Sequence, residues 1–263
     1  MDAPAPEAPR ALVFLVGIER TDDPAAPLVV APYEHVCHRG AVRPAVLASA
    51  TDVAGSLAAR AGEPVESVLT TDLSVRAPAR RAPALLRTRA RTLREGASAV
   101  AVELVFDDGA DPVATGITTF RRRIAKDASR ATPGAVPARM GGARLSQPIE
   151  RAMGLEVVDA ARGRVALAPS AAVCNPNGSL QGTAVAVFVE VAALALAEHA
   201  LGPRVATELD IRYVAASGRG PLAAEARFVA RPEDGALRVD LVDEGAGGRT
   251  TAAAFVRVAP PPA

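Results

Sequence analysis

The sequence can be aligned on itself over nearly its whole length, and this internal repeat restricts the possible folds more than any other feature. The offset between the copies is 138 residues at Asp52 and Glu190 and 135 residues at Phe120 and Phe255. Because the offset drifts so little, insertions and deletions must lie in loops. The sequence therefore predicts two tandem copies of one domain, with paired segments such as Gly17-Ile18-Glu19 and Gly154-Leu155-Glu156, Val36-Cys37-His38 and Val173-Cys174-Asn175, and Thr71-Asp72-Leu73 and Thr207-Glu208-Leu209.

Composition agrees with two globular domains. The chain has 263 residues, of which 49% are hydrophobic, and a formal net charge of +1. This length suits two ordinary domains, and the charge gives no electrostatic drive toward nucleic acid. We expect domains over residues 10–125 and 148–260, with a surface linker over residues 126–147 that is rich in Ala, Arg, Gly and Pro. Residues 1–9 read as a disordered segment, and residues 11–16 as a strand or packing segment rather than a signal sequence.

The two cysteines, Cys37 and Cys174, occupy equivalent positions of the repeat. This placement predicts core thiols in a reducing compartment, which favours a cytoplasmic location. A disulfide that joins the two copies is the alternative.

The secondary structure of each copy is predicted as one helix followed by strands. The first helix covers residues 43–61, because Pro44 suits a first turn and Gly62 suits a helix end. The second covers the apolar residues 183–200, which are almost long enough to cross a membrane. A carboxylate at its centre, Glu190, would cost about 2.5–3.5 kcal/mol there, so we predict a buried helix and no membrane. The fold class is therefore α+β with an antiparallel sheet, and its strands are predicted over residues 68–75, 84–95, 98–107, 112–123, 205–214, 220–230, 237–243 and 250–258.

One constellation of residues in the second copy resembles a known family. Asn175 and Gln181-Gly182 precede Glu190, which lies nine residues after Gln181, and the strand pattern Thr207-Glu208-Leu209-x-Ile211-x-Tyr213 follows. This set is similar to the hotdog-fold acyl-CoA thioesterases of the phenylacetate-degradation and 4-hydroxybenzoyl-CoA groups. Since the first copy repeats the pattern, the chain resembles a double hotdog, in which each domain wraps an antiparallel sheet around a long helix.

In that family two subunits share each active site, and here the two copies would take their places. The resemblance implies one complete site, made of Asn175, Gln181 and Gly182 from the second copy with Asp52 and Thr70 from the first. The N–H of Gly182, at a helix N-terminus, would hold the thioester oxygen. Asp52 would act as the base on water, with its pKa raised by apolar neighbours. Asn175 and Gln181 would orient the carbonyl or the water, and Thr70 would hold the water.

The second site implied by the resemblance is degenerate. It would combine His38, Arg43 and Pro44 with Glu190. Proline has no backbone N–H, so Pro44 cannot supply the oxyanion donor. Glu190 is also consistent with a purely structural acid, and Asp52 with a solvated helix-surface acid.

The resemblance implies an enzyme that hydrolyses a small to medium acyl- or aryl-CoA thioester, with coenzyme A as part of the substrate and no further cofactor or metal. Two other functions stay open: a non-catalytic acyl-CoA-binding protein, and a hotdog dehydratase or hydratase, which usually needs a catalytic histidine. Fold alone does not decide among them. We also expect two chains to form a homodimer.

Overall fold

The computed structural model of the protein describes residues 11–23, 26, 28–60, 65–124, 141–175 and 177–263. The segment predicted to be disordered, residues 1–9, lies outside the described residues. The same holds for residues 126–140 of the predicted linker. Both cysteines are free thiols.

Strands dominate the described part of the chain, which also contains three α-helices. The helices are α1 (Pro44–Ala58), α2 (Ile149–Met153) and α3 (Gly182–Leu201). In chain order the strands are β1 (Ile18–Arg20), β2 (Leu28–Val30), β3 (Cys37–His38), β4 (Ala41–Val42), β5 (Val65–Arg76), β6 (Leu86–Glu95), β7 (Ala99–Asp107), β8 (Pro112–Ile124), β9 (Glu156–Asp159), β10 (Arg164–Leu167), β11 (Val205–Tyr213), β12 (Leu222–Phe228), β13 (Ala236–Asp243) and β14 (Arg249–Ala259).

Within the described residues, twelve of these strands form one sheet in the order β1-β2-β6-β7-β8-β5-β11-β14-β13-β12-β10-β9. Read outward from the centre, the two halves have the same strand order, as a tandem duplication requires. They meet at the antiparallel pair of β5 and β11, from Arg76 opposite Glu208 to Asp72 opposite Arg212. The predicted α+β double hotdog, with its two sheets joined in one continuous layer, is confirmed.

The two long helices pack against each other and against the sheet. α1 contacts β5, β7 and β8 of its own copy, whereas α3 contacts β12, β13 and β14. α1 approaches the sheet closely because glycines lie at the contact: a Cβ on Gly55 would collide with Phe120, and one on Gly116 would collide with Thr51. This close packing fixes the height of α1 above β8 and β5.

α3 is long and apolar enough to span a membrane by length and composition, but 67% of the residues in its most apolar window are buried inside the protein. Phe188 and Val187 are fully buried in a hydrophobic cluster that includes residues of both copies. Burying each such side chain stabilises the fold by about 1.5–3 kcal/mol. The burial of α3 is typical of the core helix of a globular domain.

Two details of the predicted secondary structure need correction. Residues 11–16 do not form a strand; Leu12–Phe14 is a short 3-10 turn, with Leu12 and Val16 buried. The alternative interpretation, a packing segment, is correct. The short helix α2 was not predicted, although Pro148 before it and Gly154 after it, at φ 76°, are ordinary helix boundary residues.

Candidate active site

The site forms where the middle of α1 faces the first turn of α3. Asp52 lies on α1, and Gly182 is the first residue of α3. An ideal Cβ built on Gly182 would lie 3.2 Å from Asp52 Oδ2. The structure thus places the predicted carboxylate of the first copy against the predicted oxyanion donor of the second.

Thr70 holds the Asp52 carboxylate from the sheet side. Its hydroxyl donates a 2.6 Å hydrogen bond to Asp52 Oδ1. A β-bulge in β5 shifts the register between Thr70 and Asp72, and β11 carries a bulge at the equivalent place, between Ala206 and Glu208. Bulges re-aim side chains near functional sites, and this one precedes the strand residues that face the core. Oδ1 is therefore occupied by Thr70, while Oδ2 faces Gly182.

The environment of Asp52 favours its protonated form. Burial among apolar groups raises the pKa of Asp52, and the hydrogen bond from Thr70 lowers it by less. A carboxylate with a raised pKa is a stronger base once it is ionised. The predicted direction of the pKa shift agrees with this environment.

The first turn of α3 offers backbone donors to this carboxylate. The N–H groups of Gly182, Thr183 and Ala184 have no intrahelical acceptor, because they belong to the first turn of a helix. The helix dipole adds a partial positive charge at the same point. Within the described residues no hydrogen bond joins Asp52 to this turn.

Gln181 is buried and is held by the loop that precedes α3. Its Nε2 donates to the carbonyl oxygens of Ala172 at 3.2 Å and Cys174 at 3.0 Å. Its Oε1 is buried and has no hydrogen-bond partner in the structure as described. The role of Gln181 in orienting a carbonyl or a water stays a prediction.

Asn175 organises the same loop. Its Oδ1 accepts hydrogen bonds from the N–H groups of Asn177 at 2.9 Å and Ser179 at 3.1 Å. The backbone N–H of Asn175 also donates to Ser179 O at 2.7 Å. These bonds close the loop on itself ahead of Gln181. A direct contact between Asn175 and a substrate stays a prediction.

Tyr213 is a site residue for which the sequence predicted no role. It ends β11, and its Oη would lie 3.6 Å from an ideal Cβ on Gly182. The sequence did contain a signal for this residue, because Tyr213 is the last residue of the strand pattern that carries the family resemblance. The repeat also marks it: at an offset of 136 residues its counterpart in the first copy is Ala77.

A buried carboxylate, Asp243, holds a loop that contacts the candidate site. Asp243 is fully buried and accepts hydrogen bonds from the N–H groups of Gly218 at 3.0 Å, Arg219 at 3.1 Å, Gly220 at 3.0 Å and Ala246 at 3.1 Å. Burial alone would raise the pKa of Asp243, but these four bonds together outweigh it and the pKa lies below its usual value.

The loop that Asp243 holds touches the loop before α3. Leu180 N–H donates to Ser217 O at 2.8 Å, and Gly218 packs directly on Gly178 O. Asp243 therefore positions the start of α3 indirectly. It holds the loop at residues 218–220, and this loop contacts the loop that precedes α3.

The pseudo-equivalent second site is filled by an ion-pair network. Arg43 donates to Glu190 Oε1 at 3.0 Å, and the side chains are 2% and 1% exposed. Arg43 also pairs with Glu150 at 2.9 Å. The other oxygen of Glu190 accepts a 2.8 Å bond from Ala45 N–H in the first turn of α1. This acid is neutralised and occupies the helix N-terminus that a substrate would need.

The remaining residues of the second site agree with this arrangement. Pro44 is the first residue of α1 and lacks an N–H. His38 contacts a different acid: its Nε2 lies 3.1 Å from Glu198 Oε1.

The length of the acidic side chain is one difference between the two sites. Glu190 spans the distance to the first turn of the facing helix, whereas Asp52 at the equivalent position is one carbon shorter and is bound to Thr70 instead. Only the first site keeps both an open helix N-terminus and a carboxylate without a cationic partner, among the residues that the structure describes.

Comparisons with known proteins agree with this geometry. No protein-family model and no curated protein matches the chain. Solved structures do match it: the tesB protein of Mycobacterium avium subspecies paratuberculosis (11% identity, 95% of this chain and 98% of that chain, TM-score 0.60); the 12:0-ACP thioesterase from Umbellularia californica (10%, 88% and 96%, TM-score 0.57); and a conserved protein with a hot dog fold from Alicyclobacillus acidocaldarius (15%, 95% and 97%, TM-score 0.55). At these identities the likeness shows the fold, which is the hotdog fold.

The Arg43–Glu190 pair leads to a prediction on stability. Replacing Glu190 by Gln leaves the buried guanidinium with only the partly exposed Glu150, so the free energy of unfolding should fall by about 3–5 kcal/mol. Urea denaturation followed by circular dichroism measures this loss. Glu198→Gln, in a partly exposed pair on the same helix, is the control and should cost about 0–1 kcal/mol. Equal, small losses in both variants would contradict the structural role of Glu190.

Asp243 leads to a prediction on pH. Because its pKa is lowered in the folded state, its contribution to stability is present above the unfolded pKa of about 3.9 and is lost as the pH falls through the folded value. Asp243→Asn should lower the free energy of unfolding by about 1–3 kcal/mol at neutral pH. The difference from wild type should shrink on acidification. Urea titrations at several pH values test this, and a pH-independent difference would contradict it.

Proposed function

We propose that the protein is an enzyme that hydrolyses acyl thioesters, with Asp52 as the general base. The observation that carries the proposal is the position of the Asp52 carboxylate: Oδ1 is bound by Thr70, and Oδ2 faces the open N-terminus of α3 at Gly182. Two of the solved structures with this fold are named as a tesB protein and a 12:0-ACP thioesterase. We take the substrate to be a small to medium acyl- or aryl-CoA thioester, with an acyl carrier protein as the alternative thiol carrier.

The reaction begins with a water molecule between Asp52 and the thioester carbon. Asp52 Oδ2 takes a proton from the water while the water oxygen forms a bond to the carbonyl carbon. The electron pair of the C=O double bond moves to the oxygen. The Thr70 hydroxyl donates its hydrogen bond to Asp52 Oδ1, so its oxygen is left to accept a hydrogen bond from the attacking water.

The oxyanion then needs a donor. The N–H of Gly182 points out of the first turn of α3, where the helix dipole favours negative charge. A preorganised donor at the developing charge is among the largest contributions to catalysis in acyl transfer. As the tetrahedral intermediate collapses, the C–S bond breaks and the thiolate receives the proton from Asp52. The products are a carboxylic acid and a free thiol.

We assign the chemistry to protein groups alone, and coenzyme A enters as part of the substrate. We also assign one working site to each chain. Each oxygen of Glu190 already accepts a hydrogen bond, one from Arg43 and the other from Ala45 N–H in the first turn of α1. The homodimer and the cytoplasmic location stay predictions.

The central test replaces Asp52 by Asn. We expect kcat for thioester hydrolysis to fall by about 10²–10⁴-fold, because the general base is lost. Stability should stay equal or rise, since an acid whose folded pKa is raised destabilises the fold when it is ionised at neutral pH. Release of free thiol from short, medium, branched and aromatic acyl-CoAs, and from acyl carrier protein thioesters, measures the activity. Thermal unfolding measures the stability.

Two variants serve as controls for this test. Asp240→Asn removes a carboxylate from an exposed ion pair with Arg227 and should keep full activity. Glu190→Gln should keep kcat per folded molecule despite its lower stability. Equal loss of kcat in the Asp52 and Glu190 variants would mean two working sites. Acyl-CoA binding without turnover in the wild type would instead indicate a binding protein.

Thr70→Val gives a separate prediction for the pH profile. The free-enzyme profile of kcat/KM should rise with pH through the pKa of Asp52, which lies above the usual value of about 3.9. Since the Thr70 hydroxyl lowers the pKa of Asp52, its removal should move the inflection to higher pH. Thr115→Val, on the neighbouring strand, is the control and should leave the inflection in place. A shift to lower pH in Thr70→Val would contradict the assignment of the profile to Asp52.

A further inference from the structure

Tyr213 brings a hydroxyl group to the same point as the Asp52 carboxylate. An ideal Cβ on Gly182 would lie 3.6 Å from Tyr213 Oη and 3.2 Å from Asp52 Oδ2. The two oxygens belong to different copies, one on β11 and the other on α1. Both oxygens approach the Cβ position of Gly182, whose N–H is the proposed oxyanion donor.

The Tyr213 hydroxyl has no partner of its own. No hydrogen bond to it occurs within the described part of the chain, although the residue packs against the hydrophobic core. Buried tyrosine hydroxyls usually have a partner. Tyr33, the other tyrosine of the chain, shows the usual case, because its hydroxyl donates to Leu15 O at 2.5 Å and accepts from Leu145 N–H at 2.9 Å. An unpartnered hydroxyl beside a catalytic carboxylate is placed to bind a substrate atom.

The repeat separates this tyrosine from a merely structural one. The equivalent of Tyr213 is Ala77, the residue that follows β5. In the same second site Pro44 replaces Gly182, and Glu190 is neutralised by Arg43. The tyrosine hydroxyl is therefore missing from the half that also lacks a donor N–H and a free carboxylate. If Tyr213 served only for packing, we would not expect it to be absent from the same site that lacks the donor N–H and the free carboxylate.

We infer that the hydroxyl of Tyr213 is a second oxyanion donor, which binds the thioester carbonyl oxygen together with the N–H of Gly182; this inference rests on the proposed hydrolase function. During attack of water, the C=O electron pair moves to the carbonyl oxygen, and the two donors hold the resulting negative charge. When the C–S bond breaks, the pair returns to form the product carbonyl. Tyr213 keeps its proton throughout, and the proton taken from water goes through Asp52 to the thiolate.

The electrostatics of the site favour this role over that of an acid for the leaving group. Burial, and then the negative charge of Asp52, raise the pKa of Tyr213 above its usual value. A thiol has a pKa of only about 8.5, so this hydroxyl is too weak an acid to protonate a thiolate. A hydroxyl that stays protonated is suited to donate a hydrogen bond to a developing oxyanion.

Tyr213→Phe tests the inference, because it removes the hydroxyl and keeps the ring. We expect kcat to fall by about 10²-fold with KM nearly unchanged, as for the loss of a donor that acts in the transition state. The matched control is Tyr33→Phe, which should lower stability and leave kcat per folded molecule intact. Thermal unfolding should show no loss for Tyr213→Phe.

Two substrate analogues separate a donor from a packing residue. A trifluoromethyl ketone analogue of the best acyl-CoA adds water to form a tetrahedral hydrate, whose oxygens resemble those of the tetrahedral intermediate, whereas a thioether analogue has no carbonyl. Tyr213→Phe should weaken binding of the ketone by about the same factor as kcat and leave the thioether unaffected. Equal weakening of both analogues, or an unchanged kcat, would overturn the role of Tyr213.

The outcomes also distinguish this inference from the function on which it rests. Turnover that Asp52→Asn abolishes and Tyr213→Phe leaves intact would overturn the role of Tyr213 alone. Absence of turnover by the wild type with every acyl-CoA and acyl carrier protein thioester would overturn the hydrolase function, and this inference with it.

Discussion

The buried ion pair between Arg43 and Glu190 fixes how the two halves of the molecule meet. Arg43 precedes α1, Glu190 lies in the middle of α3, and Ala45 N–H binds the same carboxylate, so the N-terminus of one helix is fastened to the centre of the other. Charges this deeply buried are tolerated only when they are paired and hydrogen-bonded. Because the halves are related by the repeat, fixing this contact also fixes the reciprocal one. Asp52 is thereby held opposite Gly182.

The reciprocal contact, between Asp52 and the start of α3, lacks such an ion pair. That difference creates the candidate site. Asp52 is one methylene shorter than Glu190, and a threonine rather than an arginine binds it. Its charge is therefore not neutralised, and the first turn of α3 keeps its donors. Such an arrangement costs stability, since a carboxylate with a raised pKa is partly buried without a cation. One contact provides rigidity and, in the proposed function, the other provides reactivity, a division often found between stability and activity in proteins.

Much of the fold could be predicted from the sequence, because a repeat with a nearly constant offset requires two copies of one topology. The proximity of Asp52, Thr70 and Gly182 could also be predicted, since their spacing follows a family pattern along the chain. Long-range contacts outside that pattern could not. Asp243 ends a strand before a glycine-rich turn and reads as an ordinary turn acid, and its bond from Ala246 N–H fits that reading. Its other three bonds come from backbone groups 23 to 25 residues away. α2 was missed because its boundary residues lie beside the linker.

Duplication within one chain explains how such asymmetry can arise. In a symmetric homodimer, every substitution appears in both sites at once, so a change that locks one site also locks the other. Covalent fusion removes this constraint. Pro44 illustrates the consequence: at the first position of α1 the missing N–H costs no helix hydrogen bond, and the fixed φ favours the helix. The residue that lacks a donor N–H thus also stabilises the helix start, and in the proposed function the chain can keep it because the Asp52 site does the work.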